Sequence, residues 1–537
     1  MPRTDRPLAD AEGSPMSWMP EIEELQRRRK LAEACGGAEA VAKHHASGKL
    51  TVRERIAQLL DEGSFREVGK LAGKSTYDAH GKLVRFEPAP YVMGLGAIDG
   101  RPVAIGGEDY TIRAGTGFGS DRRKGGQGGF VEDLAYEYRM PLVNLIDGTG
   151  GTVNTAKRKG YTVVPGYGQD GFERSVDLMG MVPVVSAVMG TTAGGPSMRA
   201  ILAHWSIMVK GKGQIFAAGP PVVERAFGQK LTKEELGGVK VAVDTAGTID
   251  NVAEDEADCF RQIRRFLSYM PQNVWELPPV VACDDPVDRC EDALARIVPR
   301  SNRQAYAMKK LLEMVVDRGS LFEIQPTYAR SLITALARMN GKVVGIVANN
   351  PMFGTIMDYK AARKQGHFVE LCDMFNIPLI FFADLPGLMV GAESEADAIL
   401  REGVRARYIG FQVTVPVFTV IVRKCYGVAG GGVIDRRGLN FKIAWPSAEW
   451  GSLPVEGGVK AAYKRDIESA ADPVQREKEI EEELRQLASP FRTAEAFAIE
   501  DMIDPRETRP YLCQFIDALQ GRLKTQLGPK LKAGVRP

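Results

Sequence analysis

Two short runs, Leu142–Ile146 and Leu379–Phe382, are apolar at nearly every position and lack the alternation of a half-exposed strand. That pattern predicts strands covered on both faces, as a parallel sheet requires. Arg101–Ile105 and Lys342–Ala348 are β-branched runs, each introduced by a turn glycine, Gly100 or Gly341. Around these strands the spacing becomes helical at Phe130–Arg139, Glu173–Gly180, Ala361–Phe375 and Ala396–Ile409. Alternation of strand and helix predicts β-α-β units and a mostly parallel sheet. Charged helices are expected at Glu21–Ala46 and Pro473–Leu487, where the charge pattern is that of a solvated or packing face.

The chain also says the same thing twice. Leu59-Leu60-Asp61-Glu62-Gly63-Ser64-Phe65 is echoed by Val315-Val316-Asp317-Arg318-Gly319-Ser320-Leu321. The run from Leu95 through Asp99-Gly100 to Ile105 returns as Leu336 through Asn340-Gly341 to Ile346. Met140-Pro141-Leu142-Val143 to Asp147 returns as Ile377-Pro378-Leu379-Ile380 to Asp384, and Val182 to Ala193-Gly194-Gly195 as Val415 to Ala429-Gly430-Gly431. Measured at Gly63, Gly100, Asp147 and Ala193, the offsets are 256, 241, 237 and 236 residues. Four blocks in one order predict two copies of one α/β fold, residues 1–290 and 291–537.

At 537 residues two large domains are the default expectation. Seventy Lys and Arg against 68 Asp and Glu leave a net charge of +2, which argues against a nucleic-acid surface. A local basic run, Arg122-Arg123-Lys124, is still a candidate for holding phosphates. Seven scattered cysteines without a C-x-x-C pair fit reduced thiols and a cytoplasmic protein better than disulfides or a zinc site. Tyr408–Val422 is the most apolar stretch, but Gln412 and Pro416 interrupt it, so it reads as helix-to-strand core rather than a membrane span. Residues 1–19 show no apolar signal-peptide region and read as a mobile tail.

The chemistry-bearing features are glycine clusters that follow strands at matching places in the two copies. Gly190-Thr191-Thr192-Ala193-Gly194-Gly195 follows Val182–Met189, and Gly427-Val428-Ala429-Gly430-Gly431-Gly432 follows Val417–Val422. Small residues let backbone N–H groups approach a ligand, and a helix start adds its positive end. A pair of such amides is what an oxyanion needs. One cluster alone would read as a tight turn; two at duplicated positions favour a ligand role.

Other motifs fail on context. Gly166-Tyr167-Gly168-Gln169-Asp170-Gly171 fits G-x-G-x-x-G, but no acidic residue stands about twenty positions on. Val68 replaces the first glycine of the Walker-like Val68–Ser75. No G-x-S-x-G is present, and the five histidines, with His204 and His367 placed on helices, lack metal-ligand spacing. The missing side-chain base fits a reaction in which a cofactor takes the proton and the protein supplies amides.

Beyond the glycine clusters, several blocks are similar to those of one family. They are Gly48-Lys49-Leu50-Thr51-Val52-Arg53-Glu54-Arg55-Ile56, Gly219-Pro220-Pro221-Val222-Val223, Val347-Ala348-Asn349-Asn350-Pro351-Met352, Asp384-Leu385-Pro386-Gly387, Arg423-Lys424-Cys425-Tyr426-Gly427 and Ala444-Trp445-Pro446-Ser447-Ala448-Glu449. In this order they resemble the carboxyltransferase subunits of biotin-dependent acyl-CoA carboxylases, over roughly residues 35–520.

The resemblance implies a duplicated crotonase-like (ClpP/crotonase) β-β-α superhelix, with coenzyme A bound by the N-terminal copy and biotin by the C-terminal copy. It implies active sites between copies from two subunits, in a homo-oligomer that is usually a hexamer. It puts oxyanion amides at Gly194 and Gly195 and at Val428 and Ala429. Acyl-CoA contacts are expected at Gly150, Gly151, Arg123, Lys124 and Gly431, and biotin contacts at Pro386, Gly387 and Gly391. With no Met-Lys-Met biotinylation loop in the chain, carboxybiotin is expected on a separate carrier chain working with a biotin carboxylase, and no metal is expected.

The chain departs from the family pattern in three places. Pro196-Ser197-Met198-Arg199 follows the first loop where relatives often read Ala-Val-Tyr-Ser, Val428 replaces a glycine, and Gly431 stands at the position linked with acyl choice. The glycine there predicts a roomier or backbone-lined acyl pocket. Alternative readings are a decarboxylase subunit running the same transfer backwards and a CoA-binding structural subunit that has lost catalysis.

Overall fold

The computed structural model describes residues 17–116, 129–150, 157, 160–162, 171–434 and 440–531. The first sheet has seven strands whose spatial order is their chain order: β1 (Arg66–Glu67), β2 (Tyr91–Ile98), β3 (Arg101–Glu108), β4 (Leu142–Ile146), β5 (Val184–Val188), β6 (Trp205–Val209) and β7 (Asn251–Ala253). β1 to β3 are antiparallel, and β3 to β7 run parallel.

The second sheet repeats the plan. β8 (Phe322–Ile324), β9 (Leu332–Met339) and β10 (Lys342–Asn349) are antiparallel. β11 (Leu379–Leu385), β12 (Val417–Tyr426) and β13 (Asn440–Ala444) follow in parallel; β14 (Glu449–Gly451) pairs with β12, and β15 (Asp501–Met502) closes the order beside β13. β4, β5, β6 and β11 are buried at every position, as apolar runs without alternation require.

The duplicated blocks are duplicated devices. Each opening hairpin turns on two residues of positive φ, Asp99 (51°) with Gly100 (75°) and Asn340 (49°) with Gly341 (75°), the turn whose twist matches a β-hairpin. A carboxylate from the preceding block closes each turn. Asp61 accepts from the amides of Asp99 and Gly100 at 3.1 and 2.8 Å, and Asp317 from those of Asn340 and Gly341 at 2.9 and 2.8 Å.

Five helices matter for the site. α1 (Phe130–Tyr138) covers the first sheet, and α2 (Gly195–Ile201) begins at its glycine loop. α3 (Tyr359–Met374) packs against α4 (Ile399–Gln412), which packs in turn on α5 (Gly427–Ile434). Two expectations need correction. The N-terminal helix is two, Met19–Glu33 and Ala38–Ala46, because Cys35 (φ 53°) and Gly37 (φ 93°) leave the helical region between them. The helix expected at Ala396–Ile409 is likewise split, because Ala398 (φ 61°) separates Ala392–Ala396 from α4.

The halves share one apolar core and meet at β7 and β8. There the Asn251 side chain donates to Glu323 O at 3.0 Å and accepts from the Gln325 amide at 3.2 Å. Among the described residues no helix is long and apolar enough to cross a membrane.

Lys364 of α3 is buried, and its Nζ donates to the carbonyls of Gln325, Tyr328 and Leu332 at 2.7, 2.9 and 2.7 Å. Burial pushes its pKa down to about 7, while three acceptors call for the three donors that only the ammonium has. Lys364→Met leaves three buried carbonyls without donors and should cost about 3 kcal/mol, read as an earlier first transition in chemical unfolding.

Glu132 of α1 is also buried, neither carboxyl oxygen has a hydrogen-bond partner among the described residues, and burial raises its pKa to about 8. A carboxyl with a raised folded pKa contributes stability that is full below its unfolded value and is lost as pH rises through the folded one. Glu132→Gln should therefore match the parent near pH 4.5 and gain on it by roughly 1.4 kcal/mol per unit up to about pH 8, checked by unfolding across that range.

Candidate active site

In each half the strand after the hairpin ends on a buried aspartate, Asp147 after β4 and Asp384 within β11. Their backbone amides donate to a side chain at the end of the neighbouring hairpin strand. Asp147 N reaches Glu108 Oε2 at 3.3 Å, and Asp384 N reaches Asn349 Oδ1 at 3.0 Å.

The carboxylates are neutralised from different directions. Asp147 takes Arg55 at 3.1 Å and Lys49 at 3.2 Å, and Arg55 also grips Glu256 at 2.8 Å. Burial opposes the Arg55 charge, yet Asp147 and Glu256 leave its pKa raised; for Lys49 burial prevails and its pKa falls. Asp384 takes Arg423 at 2.9 Å, the Tyr306 hydroxyl at 3.0 Å and the Lys424 amide at 3.2 Å. Burial, then the Asp384 charge, drives the Tyr306 pKa well up, so the phenol stays protonated as a donor.

These ion pairs sit beneath the glycine loops. A Cβ on Gly190 would lie 1.8 Å from Asp147 Oδ1, so only glycine fits there. The chain then pairs Thr191–Ala193 with Gln214–Phe216 and enters α2 at Gly194, whose φ of 67° and ψ of −130° make it the N-cap. A Cβ on Gly150 would come within 3.0 Å of Gly194 Cα and 3.3 Å of Gly195 N, so these expected site residues share one patch. Pro196 falls in the first turn, where a missing N–H costs no helical bond. One turn on, buried Arg199 bonds Tyr91 at 2.9 Å and ion-pairs with Glu108.

In the second half α5 starts at Gly427 (φ 62°) directly after β12. Val428 is exposed and Ala429 buried; a Cβ on Gly430 would meet the Cys425 backbone at 2.9 Å, which seats the turn on the strand. The first amides of any helix have no partner within it, so Gly194, Gly195, Val428 and Ala429 all stand where amides can serve a ligand. That fits an acyl thioester or a ureido carbonyl, whose oxygens only accept. Pro386 and Gly387 follow β11 near α5, with Gly387 O accepting from Met357 N at 3.1 Å, and Gly391 (φ 114°) caps the short helix after it.

Other expectations fare differently. The room expected beside Gly431 is taken: a Cβ there would meet the Arg407 guanidinium of α4 at 2.9 Å. His204 lies before β6, not on a helix. It accepts from Val184 N at 3.0 Å, and burial lowers its pKa to about 3, a structural role. Arg123, Lys124 and Gly151, like residues 166–170 of the G-x-G-x-x-G motif, lie outside the described residues. Among the described residues no group of His, Cys, Asp and Glu could hold a metal ion. A cavity of about 180 Å³ between the halves, lined by Ser206, Asp250, Lys364 and His367, takes in none of the glycine-loop amides. Sequence reading did not single out Arg407, one of three arginines on α4, or the partnership of Lys49 and Arg55 with Asp147 across more than ninety residues.

Residues 43–532 match the carboxyl transferase domain family. The propionyl-CoA carboxylase carboxyltransferase subunit of Haloferax mediterranei is 33% identical over 97% of this chain and 100% of its own length. The methylmalonyl-CoA decarboxylase subunit alpha of Propionigenium modestum is 32% identical over 93% of this chain and 96% of its own. In structure the chain is similar to the transcarboxylase 12S core, with a TM-score of 0.85, 32% identity and 97% coverage of both chains. The duplicated sheets and paired glycine loops are thus a crotonase-type frame, and the chain belongs to the carboxyl transferase family of biotin-dependent acyl-CoA carboxyltransferases.

Proposed function

We propose that this chain carries the transfer step of an acyl-CoA carboxylase, moving a carboxyl group from carboxybiotin on a separate carrier chain to the α-carbon, or the vinylogous carbon, of an acyl-CoA. The observation that carries it is the pair of glycine loops, one per half, each opening a helix at a strand end above a buried, ion-paired aspartate. On this reading residues 1–290 bind the CoA thioester and residues 291–537 receive biotin. The N–H groups of Gly194 and Gly195 and those of Val428 and Ala429 serve the two developing oxyanions, thioester enolate and ureido oxygen.

Biotin, when bound, supplies the carboxyl group and accepts the α-proton. The chain's own part is to hold fixed donors where charge develops, and to keep Asp147 and Asp384 neutralised so that neither repels an oxyanion. Pro386, Gly387 and Gly391 are candidate biotin contacts, and Gly150 and Gly151, with Arg123 and Lys124 at the phosphates, candidate acyl-CoA contacts. A hexamer pairing the first half of one subunit with the second half of another would bring the loops together, as the hexamer assembly of the similar transcarboxylase 12S suggests. The same machinery in reverse is a decarboxylase, the activity named for the Propionigenium modestum relative.

Purified with a biotinylated carrier and an ATP-driven biotin carboxylase, the chain should fix labelled bicarbonate onto one or more members of an acyl-CoA panel. No incorporation, with label instead released from carboxylated acyl-CoAs, would establish the decarboxylase direction. Gly194→Val and Ala429→Pro, each removing or displacing a donor at a first helical turn, should lower turnover by about 10²-fold with the fold retained by circular dichroism. Full turnover in both well-folded variants would remove the oxyanion assignment.

A further inference from the structure

Arg407 of α4 lies over the first turn of α5. Its Nη1 donates to Val428 O at 3.4 Å, and its guanidinium fills the space of a Gly431 side chain, with Nη1, Cζ and Nη2 at 2.9, 3.4 and 3.5 Å from where that Cβ would be. The Phe411 ring lies 5.5 Å from its Cζ, one turn along α4. A bare Cα at 431 is therefore the condition for this approach, since any side chain there would displace the guanidinium.

Two physical facts give the contact a consequence. In a planar trans peptide the C=O and N–H point in opposite directions, so a cation at Val428 O stands on the opposite side of that peptide from the N–H of Ala429. A cation bonded to that carbonyl also polarises the peptide and makes its N–H a stronger donor. Yet a cation beside the first turn of a helix opposes the helix dipole, which favours anions at that end. The arrangement costs the helix some stability and adds positive potential at the amides facing the ligand.

We propose that Arg407 is a positioning residue for the second oxyanion loop, and that Gly431 is glycine to seat it. This rests on the reading of Val428 and Ala429 as oxyanion donors. Position 431 then acts through Arg407 on the rate of transfer and not as a wall that selects the acyl group.

The test uses the complete chain in the bicarbonate-fixation assay, with the acyl-CoA that the parent carboxylates fastest and with a longer and a shorter one. Arg407→Leu should lower kcat about 10-fold to 100-fold, with KM changed less than about threefold and a melting temperature equal to or above the parent's. Arg407→Lys should restore part of kcat, because it returns the charge without the planar fork. Gly431→Ala should cost about as much as Arg407→Leu alone and add little in the Arg407→Leu background. Unchanged kcat in Arg407→Leu, a loss of melting temperature in place of kcat, or a change confined to KM or to acyl preference would each overturn the proposal. The oxyanion reading is separated by Ala429→Pro. If that variant loses turnover while Arg407→Leu keeps it, only the role of Arg407 falls; if a well-folded Ala429→Pro keeps full turnover, both fall.

Discussion

The architecture depends on placing a carboxylate, fully buried, at the end of a central strand in each half. Isolated, such a charge is costly enough to neutralise itself by taking a proton. Here Arg55 and Lys49 in one half, and Arg423 in the other, pair with the carboxylate and draw distant segments onto the strand ends. Removing one partner of such a pair typically costs about 3–5 kcal/mol, because the other is left buried and unpaired. The segment Lys49–Leu59 is thus tied to the strand end by charge, and to the apolar core by Val52 and Ile56. Gly190 belongs to the same constraint, since the carboxylate occupies the space of any side chain there.

The two halves solve this problem with different residues, which says what each position is for. Glu108 and Asn349 both receive the aspartate amide, but only Glu108 also meets an arginine, Arg199. The first half compensates its extra acid with a cation from α2, the helix its glycine loop opens. The second half keeps a neutral amide at that place and brings its cation from β12, the strand its loop leaves. In both, the loop is fastened through the residues nearest the amides, so rigidity is supplied where pre-organisation matters.

Much of this was legible in the sequence. Buried parallel strands betray themselves as unbroken apolar runs, and a two-residue turn needs Asp-Gly or Asn-Gly, so Leu142–Ile146 and the hairpin turns at 99–100 and 340–341 were readable in place. Repetition doubled each weak signal and carried the glycine loops from turn to candidate site. What escaped were features with no local pattern. Nothing in Thr51–Leu59 says that Arg55 reaches Asp147 and Glu256 rather than solvent, since a helical arginine looks alike in either place. Nothing near Cys35 distinguishes a helix break from one long charged helix except the Gly36-Gly37 pair, which propensity alone leaves ambiguous.

Gly431 shows that a missing side chain is not the same as open space. Read alone, an absent side chain means volume, and volume beside a reactive loop means a larger substrate. The structure gives that volume to Arg407, from a residue 24 positions earlier and another helix. Pro196 and Val428 invite the opposite reading, as losses in a loop that in relatives often carries other residues. An oxyanion donor is a backbone N–H, and at a helix start the side chain identity matters only where it withdraws that N–H or bends the turn. Pro196 occupies a position whose N–H the helix never needed, and the Val428 side chain points out of the turn, largely exposed. The three departures leave both glycine loops opening a helix at a strand end and change the side chains that stand around those first turns.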